Sequence, residues 1–193
     1  WLMATATAMG GGIWSMHFIA MLGFIPEQSI SYDIPLTILS FLLAVGGTAV
    51  AFWMAARPQR PVWQLVVSGI AMGLAIASMH YVGMAAIRTN AVLEYRPVFV
   101  VAALFVAMLA SFSAMLLANK DLSNRQKAVA ALCLAIAVSA MHYTAMAGVT
   151  VIETGITPHT GGSASSLALA VTSALLTTIL LIASGISAYL DRH

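Results

Sequence analysis

Read as apolar and polar positions, the chain falls into six long apolar runs separated by five short polar breaks. The runs cover about residues 1–24, 34–56, 63–87, 98–118, 128–151 and 166–190. A helix needs roughly 20 mostly apolar residues to cross a bilayer, and each run meets that length. The breaks differ in kind. Residues 26–35 are polar and acidic, 57–61 are basic with two prolines, 88–97 are mixed, 119–127 are polar and basic, and 153–165 are rich in Gly, Thr and Ser. A membrane β-barrel would show shorter segments of alternating polarity. The pattern predicts an all-α membrane protein with six transmembrane helices.

Composition agrees with this class. Of 193 residues, 61% are hydrophobic and 7% are charged, against roughly 25% charged in an average soluble domain. The formal net charge of +2 is small and the basic residues lie in short loops, so no nucleic-acid face is expected. The one cysteine, Cys133, lies in an apolar run. It has no partner for an internal disulfide and reads as a buried structural thiol. Trp1 is not an initiator Met, and Asp191-Arg192-His193 follows an apolar run directly, so both ends read as cuts in a longer protein. The first run is too long and continuous for a signal peptide.

Lysine and arginine set the expected orientation. One side carries Arg57, Arg60, Lys120, Arg125, Lys127 and Arg192; the other carries Arg88 and Arg96 with Glu27, Asp33, Glu94 and Glu153. Six against two places the first side, and both chain ends, in the cytoplasm. The four acids read as a solvated cap, as do His159 and His193 at a loop and an end. Trp1, Trp14, Trp53 and Trp63 fall mostly near run ends, as interfacial anchors do.

One phrase occurs three times: Ser15-Met16-His17-Phe18-Ile19-Ala20-Met21, Ser78-Met79-His80-Tyr81-Val82-Gly83-Met84 and Ala140-Met141-His142-Tyr143-Thr144-Ala145-Met146. The histidines are 63 and 62 residues apart. Eight residues before each stands Met9, Met72 or Leu134, and fifteen after stands Tyr32, Tyr95 or Thr157. The unit is therefore a helix pair, at about 1–62, 63–124 and 125–193, forming one domain. Since each period contains two helices, the three motif helices run the same way. Their motifs then share one depth, toward the outer face. The intervening helices are rich in Ala, Ser, Gly and Thr and read as packing helices.

Residues four apart share a helix face, so His17 projects with Met21, His80 with Met84 and His142 with Met146. Met16, Met79 and Met141 are rotated by about 100° from their histidines. Three such faces offer up to three imidazoles and three to six thioethers. Thioether with imidazole favours copper, Cu(I) above all, over metals that want oxygen. Zinc fits less well, because its sites use Cys, His and carboxylate. Ser15, Ser78 and Ser139 are close enough in sequence to orient the imidazoles, and Tyr81 and Tyr143 could act similarly where Phe18 cannot. A single membrane Met is ordinarily packing, and duplication alone could preserve the phrase. Matched spacing in three copies nonetheless favours a shared ligand site, since intramembrane histidines default to function. No phosphate-binding glycine loop, nucleophile with its base or paired catalytic carboxylates are present, so no enzyme is expected in this segment.

Met141-His142-Tyr143-Thr144 spells the motif that names the MHYT family, and Met16-His17-Phe18-Ile19 and Met79-His80-Tyr81-Val82 resemble that family's variants. Gly12-Ile13-Trp14-Ser15 before the first copy is also similar to its first repeat. The resemblance covers essentially the whole chain. It implies a bacterial inner-membrane sensor domain joined to a cytoplasmic output, often one for cyclic-di-GMP turnover. It implies copper held by the motif His and Met residues and a response to oxygen, carbon monoxide, nitric oxide or redox state. The family usually has a further helix before the first motif helix, so the resemblance implies a domain with that helix removed. The partners expected are the bilayer, a diatomic gas and the linked output domain; a homodimer is left open. Rival readings are a haem site with histidine axial ligands, copper transport or handling, and a purely structural bundle.

Overall fold

The computed structural model describes residues 2–24, 30–56, 61–118, 123–153 and 163–190. Among the described residues six helices dominate: α1 (Leu2–Ala20), α2 (Ile34–Ala55), α3 (Val62–Ala85), α4 (Pro97–Ala118), α5 (Asn124–Ala147) and α6 (Ser166–Leu190). Helices adjacent in sequence from α1 to α5 pack side by side, and α6 returns to pack on α1. This is a multi-pass membrane architecture. Five helices, α2 to α6, are long and apolar enough to cross a bilayer.

The first run is the exception to the six-span expectation. Helix α1 carries Thr5, Thr7, Gly10, Gly11, Gly12, Ser15 and His17 within 19 residues. That polarity suits its place, because it packs on α2 and α6 and touches α3 and α5 as well. Neighbouring protein rather than lipid covers Ala6, Gly10, Gly11, Trp14, Ser15 and His17.

The helices bear out the all-α membrane class, and short strands lie in the connections between them. Five short strands follow the motif helices: β1 (Ser31–Asp33), β2 (Ile87–Arg88), β3 (Ala91–Tyr95), β4 (Val149–Glu153) and β5 (Ser163–Ser165). They pair antiparallel as one sheet ordered β2-β1-β5 and a second of β3 with β4. Tyr32 lies opposite Ile87 on one side and Ala164 on the other, and Leu93 opposite Val151. Hydropathy alone extends the third and fifth helices to 87 and 151. Ile87, Val149, Thr150 and Val151 are β-branched, however, and such residues favour the pleated sheet that forms.

Local chemistry fixes the helix starts. Asp33 caps α2 by accepting from the Leu36 N–H at 3.0 Å. Ser123 and Gln126 form a reciprocal capping box that starts α5 at Asn124. A hydropathy threshold misses that polar first turn. Close approach depends on glycine: a Cβ at Gly10 would lie 2.8 Å from the Ala44 carbonyl oxygen, and one at Gly73 would lie 2.7 Å from the Met108 Cα.

Two further expectations fail. Cys133 is exposed, in the groove between α4 and α5, rather than buried. Trp14 is a core residue, 5% exposed, with its indole N–H donating to Ser40 Oγ at 2.9 Å. Its position late in α1 resembled that of an anchor, but α2 covers it. Trp53 and Trp63 are exposed where α2 ends and α3 begins. Trp1, Glu27, Arg57, Arg60, Lys120, Thr157, His159, Arg192 and His193 lie outside the described residues.

Candidate metal centre

Helices α1, α3 and α5 carry the three phrases near their C-terminal ends. Those ends meet beneath the strands and bring His17, His80 and His142 into one cluster. None of the three is more than 1% exposed. Their Nδ1 atoms form a nearly equilateral triangle, with His17–His80 and His17–His142 at 3.2 Å and His80–His142 at 3.3 Å. The rings stand edge to face, with centroids 4.9, 5.2 and 5.1 Å apart in the same order.

Hydrogen bonds alone cannot satisfy this triangle. Each Nδ1 of a neutral imidazole is either a donor or an acceptor, never both. With two roles and three atoms, at least one pair shares a role and repels. Three lone pairs aimed at one centre remove the conflict, provided a cation occupies it. The centre of a triangle with these sides lies about 1.9 Å from each corner, close to the 2.0–2.1 Å of a typical zinc–imidazole bond. The donor set therefore fits a small transition-metal ion.

If the Nδ1 lone pairs face inward, the ring protons sit on Nε2. Nε2 of His17 and of His80 is buried without a hydrogen-bond partner. The expected serine support is missing for a geometric reason. Ser15 and Ser78 stand two residues before their histidines, about 200° around the helix, and Ser78 is exposed. Ser139 Oγ donates to the Ala135 carbonyl within its own helix at 2.9 Å. The tyrosines do not serve either. Tyr81 Oη is itself buried without a partner, and Tyr143 is 61% exposed.

What the aromatic after each histidine shares is its ring. Phe18, Tyr81 and Tyr143 each meet their own histidine edge to face, at 4.8, 4.9 and 5.2 Å. Phe18 in the first copy was the signal that no hydroxyl is needed. In copies one and two the residue fifteen after the histidine packs on this ring, Tyr32 on Phe18 at 5.3 Å and Tyr95 on Tyr81 at 5.8 Å. Tyr32 is 1% exposed and burial pushes its phenol up to about 12.

All six motif methionines belong to the same core. Met21, Met79, Met84 and Met141 are buried, and Met16 and Met146 are partly buried and packed against them. Met21 stands in a short 3₁₀ turn, Met21–Gly23, that continues α1.

These features define a multi-pass membrane domain built around a buried histidine trio. The chain belongs to the MHYT family: the family's sequence profile, described as a bacterial signalling protein N terminal repeat, matches residues 10–68 and 73–131. It is 40% identical over 152 residues to the bifunctional diguanylate cyclase/cyclic di-GMP phosphodiesterase MucR of Pseudomonas aeruginosa, covering 76% of this chain and 22% of that protein. It is 38% identical over 165 residues to the cyclic di-GMP phosphodiesterase NbdA of the same organism, covering 82% and 21%. The signaling protein YkoW of Bacillus subtilis is 32% identical over 157 residues, covering 78% and 20%. The chain thus spans about a fifth of the length of these curated relatives. No solved structure matches it.

Proposed function

We propose that this chain is the membrane sensor portion of a cyclic-di-GMP signalling protein and that His17, His80 and His142 hold a copper ion through Nδ1. The observation that carries the metal reading is the Nδ1 triangle, which pairwise hydrogen bonds cannot satisfy. Copper is favoured over zinc because the surroundings are thioethers and aromatic rings, with no carboxylate in the cluster among the described residues. Met21, Met84 and Met146 are the first candidates for thioether donors, and Met16, Met79 and Met141 the second. Bound copper would supply a redox-active centre with affinity for oxygen, carbon monoxide or nitric oxide. The chain's own part is to exclude water, orient the three imidazoles and tie the motif helices together, so that a change at the centre moves α1, α3 and α5 relative to one another. A ligand biases such movement only by its differential affinity for two arrangements.

The names of the relatives support an output in cyclic-di-GMP turnover, in a covalently linked cytoplasmic domain. The sequence's basic asymmetry supports placing the motif end on the periplasmic side. Haem is disfavoured, since its axial ligands stand on opposite faces of a macrocycle and these rings leave no such slot.

The test is elemental analysis and visible spectroscopy of the purified protein beside a His17→Ala, His80→Ala, His142→Ala triple variant. Copper in the parent and none in the variant is expected. Equal copper in both, or a strong Soret band in the parent, overturns the assignment.

A further inference from the structure

We infer that Gly83 is the residue that admits the His17 imidazole to the histidine cluster, a positioning role with no counterpart in the other two copies. The metal consequence rests on the copper reading above, whereas the steric fit stands on the geometry alone.

Gly83 lies three residues after His80 on α3 and is buried. A Cβ added there would lie 2.5 Å from Nε2 of His17 and 2.9 Å from its Cδ2. Contacts this short are essentially never seen, so either the ring or the helix would have to move. The ring has little freedom to yield. Its Nδ1 edge is 3.2 Å from both other histidines, and its side meets Phe18 at a centroid distance of 4.8 Å. Unlike a long side chain, the imidazole has no flexible far end to swing clear.

The repeat makes the position informative. The same place in the phrase holds Ala20 in the first copy and Ala145 in the third. Two copies therefore carry a methyl where the second has none. The exception falls on the tightest ring pair, His17 with His80 at 4.9 Å. Backbone freedom does not explain it, because Gly83 lies inside α3 and glycine is a poorer helix former than alanine. Helix-to-helix contact does not explain it either. At Gly10, Gly69 and Gly73 the nearest obstacles are mainly backbone atoms of a neighbouring helix, whereas at Gly83 all three are atoms of the His17 ring. A site held within about half an ångström of its working geometry depends on such supporting shape.

A double-mutant cycle of Gly83→Ala and His17→Ala tests this. Thermal unfolding of all four proteins is followed in detergent micelles by circular dichroism. Gly83→Ala should lower Tm in the parent and leave it unchanged or slightly raised beside His17→Ala, where the methyl has room. An equal drop in both backgrounds, or no drop in the parent, overturns the proposal. Should Gly83→Ala alone fail to fold, recovery on adding His17→Ala supports it and failure of both overturns it. In anaerobic Cu(I) titrations, Gly83→Ala should lose about tenfold or more in affinity. Unchanged affinity overturns the positioning role. A parent protein that takes up no copper overturns the copper reading instead, and the unfolding cycle alone then decides Gly83.

Discussion

Beyond its polar first turn α5 is mostly apolar along its length, yet its two halves pack differently. From 124 to 137 no side chain is buried, and a groove of about 510 Å³ separates this half from α4, lined by Phe105, Leu109, Lys127, Cys133 and Leu134 among others. From Val138 onward the same helix buries Val138, Met141, His142 and Ala145. Lipid is as apolar as leucine, so apolarity alone does not draw membrane helices together. A polar ring does, because in hydrocarbon it must find partners. The contrast teaches that the burial of α5 follows the histidine cluster rather than apolarity along the helix.

The hardest break to that contrast is His80→Ala. Loss of an outer-shell partner already costs about 10–100-fold in metal affinity, so under the proposed copper reading the loss of His80 should exceed a hundredfold in a Cu(I) titration. Leu132→Ala, on the exposed half of α5, should leave the titration unchanged.

Methionine variants sharpen it by separating packing from ligation. Met79→Ala should cost about 2–5 kcal/mol of stability in thermal unfolding, as a buried cavity does. Leucine conserves the volume, so Met79→Leu and Met84→Leu should cost less than about 1.5 kcal/mol each. Copper affinity should fall further in Met84→Leu than in Met79→Leu, because Met84 shares the face of His80. Equal affinities would remove the distinction between the two positions.

A smaller effect is expected above the cluster. Asp33 pairs with Arg88 at 2.7 Å, and the Arg88 side chain first, then the Leu36 N–H, hold its carboxyl below the ordinary value. A lowered carboxyl stabilises the fold above its unfolded-state value and loses that contribution as pH falls through the folded-state value. Asp33→Asn should therefore lower Tm at neutral pH, and the difference from the parent should shrink on acidification below about pH 4.

The smallest effect belongs to the loose half. Cys133→Ala should shift stability by no more than about 0.5 kcal/mol. Thermal unfolding in micelles measures this, and a larger loss would contradict the exposed placement.

Much of this was legible in the residues. Hydropathy located the helices because lipid imposes length and apolarity on each span. The 62–63-residue spacing implied parallel motif helices, and their ends do meet. The strands were less legible, since Val149-Thr150-Val151 is as apolar on average as the helix it follows. Trp14 and Cys133 were misplaced because periodicity along one helix does not say which neighbour covers it. For Ser15 and Ser78 the serine support failed for a reason available in advance, the roughly 200° between a residue and the one two places on, whereas Ser139 is held by the Ala135 carbonyl of its own helix. Gly83 was visible as a departure from alanine, but its meaning needed His17 opposite it, 66 residues away in the chain.

Strand β1 pairs with β2 on one edge and β5 on the other, so segments from all three helix pairs share a single hydrogen-bonded ladder. A slip of one residue in such a ladder turns every side chain to the opposite face, and Tyr32 would leave the core for the surface. The ladder therefore behaves as a clasp that resists sliding of one helix past another. It ties one end of each helix pair to the others at a fixed height.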